Sequence, residues 1–159
     1  MYIVKQVLDG KGRDVWSVRS ENTVYEALEV MAEKNIGAVL VMDGEKLVGI
    51  FSERDYARKV ILEGKSSRDT PVREVMTERV IAVRPDQSVE GCMALMTEKR
   101  IRHLPVMRDD KVVGVISIGD IVKAVISQQA NQIEHLESYI TTGHPEVTKQ
   151  PEKIHEQDD

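Results

Sequence analysis

Residues 15–61 and 80–126 follow one pattern at a constant shift of 65 with no gap. Val15/Val80, Val18/Val83, Val24/Val89, Met31/Met96, Ile36/Ile101, Val41/Val106, Val48/Val113, Gly49/Gly114, Ser52/Ser117 and Asp55/Asp120 coincide along it. A register held over that length marks a tandem duplication, in which each copy is a unit too small to cover its own apolar face. With 159 residues in all, the chain has the size of one ordinary domain, so the copies are expected to share one globular module.

The totals exclude several classes of function. Lys plus Arg number 22 and Asp plus Glu 27, a net charge of 22 − 27 = −5, which supplies no basic face for a phosphate backbone. Aromatic residues are only 4%, so the core must be aliphatic and no stacking platform for single-stranded nucleic acid exists. Met1 to Gln6 lacks an apolar export signal, and the longest apolar stretch, Ile36 to Met42, is too short to span a bilayer. The expectation is a soluble cytoplasmic chain with no membrane segment. The lone cysteine, Cys92, cannot form an internal disulfide, which suits a reducing compartment.

Periodicity orders the elements. Residues 2 to 8 read as a short helix or lead-in, and Asp9 to Asp14, including Gly10-Lys11-Gly12, as a turn. Val15 to Arg19 alternates like a strand. Thr23, with Glu26 three residues on, opens a helix whose apolar positions Val24, Ala27, Leu28 and Met31 keep helical spacing. Strands at Ile36 to Met42 and Lys46 to Phe51 follow, joined at Asp43-Gly44, and a helix carries Tyr56, Ala57, Val60 and Ile61. After a polar linker from Glu63 to Pro71 the second copy repeats the order. Its strand is Val80 to Val83, its helix carries Val89, Cys92, Met93 and Met96, and its hairpin runs from Ile101 to Ile116 about Asp109-Asp110. Its last helix starts near Asp120 and reaches about Tyr139. The tail from Thr141 is charged, holds two prolines and is expected to be disordered. The fold class is α/β (α+β), each copy strand-helix-strand-strand-helix with a three-stranded sheet. The domains are 1–67 with the lead-in, 68–140, and the tail 141–159.

Two segments carry the chemistry: GIFSERD from Gly49 to Asp55, and GVISIGD from Gly114 to Asp120. Each lies between a buried strand and the first turn of a helix, where unpaired N–H groups and the helix dipole favour an anion. A carboxylate there can accept from two vicinal hydroxyls, as a ribose presents them, while the Ser hydroxyl and free N–H groups can meet a phosphate. Ser-x-x-Asp before an apolar run is also the spacing of a capping box, which requires no ligand. Two copies in register, each after Gly and two apolar residues, favour the functional reading.

The doubled Gly-h-h-Ser-x-x-Asp motif (h apolar), the 65-residue shift and IRHLPV at Ile101 to Val106 resemble the cystathionine beta-synthase (CBS) domain pair over about residues 7 to 130. The resemblance implies a pseudo-two-fold pair that regulates by binding adenosine-containing ligands such as AMP, ATP, NAD(H) or S-adenosylmethionine in clefts between the copies. It assigns Asp55 and Asp120 to ribose hydroxyls and Ser52 and Ser117 to phosphate. The main chain from Asp14 to Ser17 (Val15, Trp16 and Ser17) and from Arg79 to Ala82, with Ile81, would border the adenine. It also implies a homodimer shaped as a flat disc, an unidentified protein target, no catalytic cofactor and no fused enzyme domain.

The copies differ where charge would meet phosphate. Copy one has Gly37-Ala38 where copy two has Arg102-His103, and Arg54 where copy two has Gly119. Arg54, Arg58 and Lys59 are candidates to steer phosphates, and a solvated helix face is the alternative. Of Arg102 and His103, one can face a cleft and the other solvent. Gly64-Lys65-Ser66 lacks the earlier glycine of a phosphate loop. His103, His135, His144 and His155 have no metal-ligand spacing, so no metal is expected, and Cys92 and the Met side chains read as core. A ligand-free interaction scaffold and a nucleotide-processing enzyme using the paired acids remain the rival readings.

Overall fold

A computed structural model describes the backbone of residues 2–143 and the side chains of residues 2–130 and 133. Helix α1 (Val4–Lys11) leads into strand β1 (Ser17–Val18), helix α2 (Val24–Lys34) and a hairpin of β2 (Ala38–Asp43) and β3 (Lys46–Ser52). Helix α3 (Glu53–Asp55) runs on as a π-helical segment, Tyr56–Ile61. A 3-10 turn (Val72–Glu74) precedes α4 (Val89–Lys99), the hairpin of β4 (His103–Arg108) and β5 (Lys111–Ser117), and α5 (Ile118–Gly143).

Local chemistry sets the element ends. The Thr23 hydroxyl accepts from the Glu26 N–H at 3.1 Å and Glu26 reaches back to the Thr23 N–H, the expected capping box. Ser88 caps α4 through the Gly91 N–H at 3.0 Å. Asn35 and Arg100, at matching positions, end α2 and α4 in the left-handed region with φ of 54° and 55°. Each hairpin carries a bulge at the same place, Val41/Met42 and Val106/Met107.

The two sheets are not equal. In copy one, β1 pairs in parallel with β2, Ser17 opposite Leu40, and β2 pairs antiparallel with β3. In copy two the expected strand from Val80 to Val83 is reduced to a single bridge, Val83 to Val106, beside the two-stranded β4–β5 sheet. Pro105 accounts for the loss. Its counterpart Leu40 donates its N–H to the Trp16 carbonyl at 3.2 Å, and proline has no N–H to give Ile81. Val83 keeps its own bonds, donating to Pro105 O at 2.9 Å and accepting from Met107 N at 2.8 Å.

Each core takes its lead-in from the other copy. Val4, Val7 and Leu8 of α1 are buried with Val83, Val89, Cys92, Met96, Leu104, Val106, Ile116 and Ile121 of copy two. Val72 and Val75, which precede copy two, are buried with Val18, Val24, Met31, Val39, Phe51 and Val60 of copy one. The exchange explains the motif glycines. A Cβ at Gly114 would stand 2.7 Å from a Leu8 methyl, and one at Gly49 would stand 2.5 Å from Met76 Sδ and 3.1 Å from the Thr77 carbonyl. Thr77 also pairs with Ile50 at the β3 edge, through N–H bonds of 3.0 and 2.8 Å.

Three further sequence expectations change. Gly10 and Lys11 belong to the end of α1 rather than to a turn, and only Gly12, at φ 102°, breaks the helix. The first strand is shorter than Val15 to Arg19. Helix α5 continues through Gly143, beyond the expected end of order at Thr141, and the remaining tail lies outside the described residues. Among the described residues no helix is long and apolar enough to cross a membrane.

Candidate functional site

Both Ser-x-x-Asp segments form the turn from a buried strand into a helix. The Ser52 hydroxyl accepts from the Asp55 N–H at 3.1 Å, and Asp55 Oδ2 accepts from the Ser52 N–H at 3.0 Å. Ser117 and Asp120 repeat the pair at 3.2 and 2.8 Å. Reciprocal bonds of this kind satisfy two otherwise orphaned N–H groups and fix the carboxylate's orientation. As the structure stands, both carboxylates act as caps.

Beyond the cap the sites diverge. Asp55 is buried, and both its oxygens are engaged. Oδ2 also accepts from the Ser52 hydroxyl at 3.2 Å, and Oδ1 accepts from the Thr77 hydroxyl at 3.2 Å and pairs with Lys59 Nζ at 3.1 Å. Asp120 is more open. Its Oδ2 receives Lys11 Nζ at 2.5 Å, and the same ammonium donates to the Val115 carbonyl at 2.8 Å. Among the described residues Oδ1 of Asp120 accepts no hydrogen bond. A groove of about 420 Å³ lies beside it between α1 and α5, lined by Gln6, Lys11, Asp120, Lys123 and Ser127 among others. Burial pushes the Asp120 carboxyl upward. The Lys11 and Ser117 hydrogen bonds and the Lys11 charge outweigh that and hold it below the usual carboxylate range.

The strand registers bring in the flanking candidates. Ala38 lies opposite Ser52 and His103 opposite Ser117. His103 also faces the other copy, since a Cβ at Gly37 would stand 3.3 Å from its Cε1. The small Gly37 thus leaves room for the ring that copy two carries. Burial lowers the His103 pKa, against the opposing pull of Glu53 and Asp120 and with the help of Lys11 and Arg102. Arg102 itself is exposed.

Other predicted residues are placed elsewhere. The Arg54 guanidinium donates to the Arg100 carbonyl at 2.9 Å, so it ties α3 to the C-terminal end of α4 in the other copy. Trp16 is exposed with Lys34 Nζ 4.2 Å from its ring centre, Ser17 is exposed and Val15 is half-buried. Ile81 packs against the copy-two core. Sequence reasoning missed Lys11 and Thr77, which reach the motif carboxylates from outside their own copies. The only signal was their place in the lead-ins, which becomes informative once the exchange of lead-ins is known.

The CBS-domain family model matches residues 4–61 and 72–127. A mitochondrial CBS domain-containing protein of Arabidopsis thaliana is 40% identical, with 89% of this chain and 73% of that protein covered. A CBS-domain protein from Burkholderia ambifaria has 53% identity and a TM-score of 0.78, covering 80% of this chain and 96% of its own. The CBS domain pair of protein MJ0100, solved in complex with 5′-methylthioadenosine and S-adenosyl-L-methionine, has 26% identity and a TM-score of 0.71, covering 80% and 98%. With both repeats matched and the fold shared, this chain belongs to the CBS-domain family as a tandem pair, a regulatory type of module.

Proposed function

We propose that the chain is a regulatory sensor that binds adenosine-containing ligands, AMP, ATP or NAD(H), in the clefts between its repeats. The observation that carries the reading is the pair of carboxylates held by their own backbone at matching strand-to-helix turns, Asp55 on Ser52 and Asp120 on Ser117. A carboxylate oriented in this way has little ordering cost left to meet on binding a diol; at Asp55 the diol replaces the Thr77 and Lys59 partners, and at Asp120 it finds Oδ1 open. The relative solved with two adenosine derivatives supports the ligand class. The proposal includes a homodimer, a protein target that reads the bound state, action from the cytoplasm and no reaction of the chain's own. The buried Cys92, whose thiol burial pushes up, suits a reducing compartment.

A ligand stabilises the state it binds by an amount set by its concentration over Kd, about 2.7 kcal/mol at a hundredfold excess. Thermal melting with millimolar AMP, ATP and NADH is therefore expected to rise for at least one of them, and Asp55→Ala with Asp120→Ala is expected to abolish the rise. No shift with any adenine compound would leave the scaffold reading, which the fully engaged Asp55 favours at its own site.

A further inference from the structure

The two motif carboxylates are matched in position but not in what must move when a ligand arrives. Lys11 stands on Asp120 from another element, 104 residues and more away in sequence from both of its acceptors. Its side chain is 34% exposed and is held at two points, by the carboxylate and by the Val115 carbonyl. Asp55 instead meets a neutral hydroxyl, that of Thr77, from the corresponding lead-in. The cation on Asp55, Lys59, is an i,i+4 neighbour on the same helical segment and is 44% exposed, so water replaces it readily.

We propose that Lys11 makes the cleft at Asp120 selective by charge, favouring adenosine-containing ligands that carry a phosphate over neutral or cationic ones. The inference rests on the functional reading above and adds a residue and a preference to it. A ribose diol at Asp120 can place one hydroxyl on the open Oδ1, and the other then competes with the Lys11 ammonium for Oδ2. A ligand phosphate offers the displaced ammonium a new anion, so one charge pair is exchanged for another. A neutral nucleoside offers the displaced ammonium no new anion, and a sulfonium adds a like charge beside it. Lys123 on the same groove adds to the preference.

The test is calorimetric titration of the full chain with 5′-AMP, adenosine and S-adenosylmethionine, in an Asp55→Ala background that removes the diol acceptor of the other cleft. The order expected is AMP, then adenosine, then S-adenosylmethionine. Lys11→Met, which installs the residue found at the matching position, Met76, is expected to cut the AMP-to-adenosine affinity ratio about tenfold. Lys11→Arg is expected to keep it. Added salt should lower the ratio in the chain with Lys11 intact, a measurement that needs no foldable variant. AMP binding with a ratio untouched by Lys11→Met and by salt would overturn the inference and leave the functional reading standing. No binding of any adenine compound, in this background or with Asp55 intact, would overturn both.

Discussion

Asp55 and Asp120 occupy the same place in two copies of one unit, and their surroundings differ in the charge of the group that the lead-in delivers. A hydroxyl reaches Asp55 and an ammonium reaches Asp120. The duplication preserved the strand, the cap and the helix start, because all three depend on bonds within the copy. What it left free to change was the lead-in, which each core borrows from the other copy. A repeat can thus keep its scaffold while its two sites drift apart in chemistry.

The exchange of lead-ins is tested hardest at Leu8, which is 1% exposed in the core of copy two. Leu8→Ala is expected to cost about 2–5 kcal/mol in urea unfolding, the usual range for a buried leucine. Hydrogen exchange should show the loss first in β4 and β5 rather than in β2 and β3. Protection lost from copy one instead would refute the crossing.

The motif glycines come next. Gly114→Ala drives a methyl against Leu8, whose buried side chain has nowhere to retreat, and should cost about 1–3 kcal/mol. Gly49→Ala makes its shortest contacts with the flexible end of Met76 and a looser one with the Thr77 carbonyl, so its cost should be smaller. Equal melting temperatures for the two variants would show that the lead-ins sit equally loosely on both sheets.

A smaller effect separates the carboxylates themselves. The folded-state pKa of Asp120 lies below its unfolded value of about 3.9. Its contribution to stability is therefore complete above that value and is lost as pH falls through the folded pKa. Removing the ammonium in Lys11→Met should flatten the loss of stability below about pH 4, by no more than about 1 kcal/mol for so exposed a pair. Acid unfolding curves of the same steepness in both proteins would mean that Lys11 does not hold the carboxylate.

Much of this was readable from residues alone. The repeat register, the Thr23 cap, both hairpins and the Ser-x-x-Asp turns follow from local spacing and capping chemistry, which act within a few residues. The shortened first strand of copy two was readable in principle, since Pro105 stands where Leu40 donates. Reading it required knowing that the N–H at that position faces the first strand rather than the hairpin partner. The roles of Lys11 and Thr77 were beyond reach because they depend on which copy receives each lead-in. Arg54 shows the converse: a cation beside a motif has many acceptors, and the one it meets is a helix-end carbonyl.

His103 provides the finest comparison, because copy one has Ala38 in its place. Burial keeps its folded pKa below the unfolded value of about 6.5, although Glu53 and Asp120 pull the other way. Above that value the ring is neutral in both states and pH has no hold on it. As pH falls below about 6.5 the unfolded chain takes up the proton first, so stability declines. His103→Gln, which cannot titrate, should remove the part of the decline that sets in as pH falls through about 6.5 and leave the Asp120 window below about pH 4 in place. Lys11→Met should act on the same step in the opposite sense to Asp120→Asn. The ammonium lowers the His103 pKa and the carboxylate raises it, so loss of the first relieves the decline and loss of the second deepens it. Stability curves that coincide for wild type and His103→Gln from pH 7 to 5 would mean that the imidazole is solvated, and that Gly37 leaves room for water rather than for the ring.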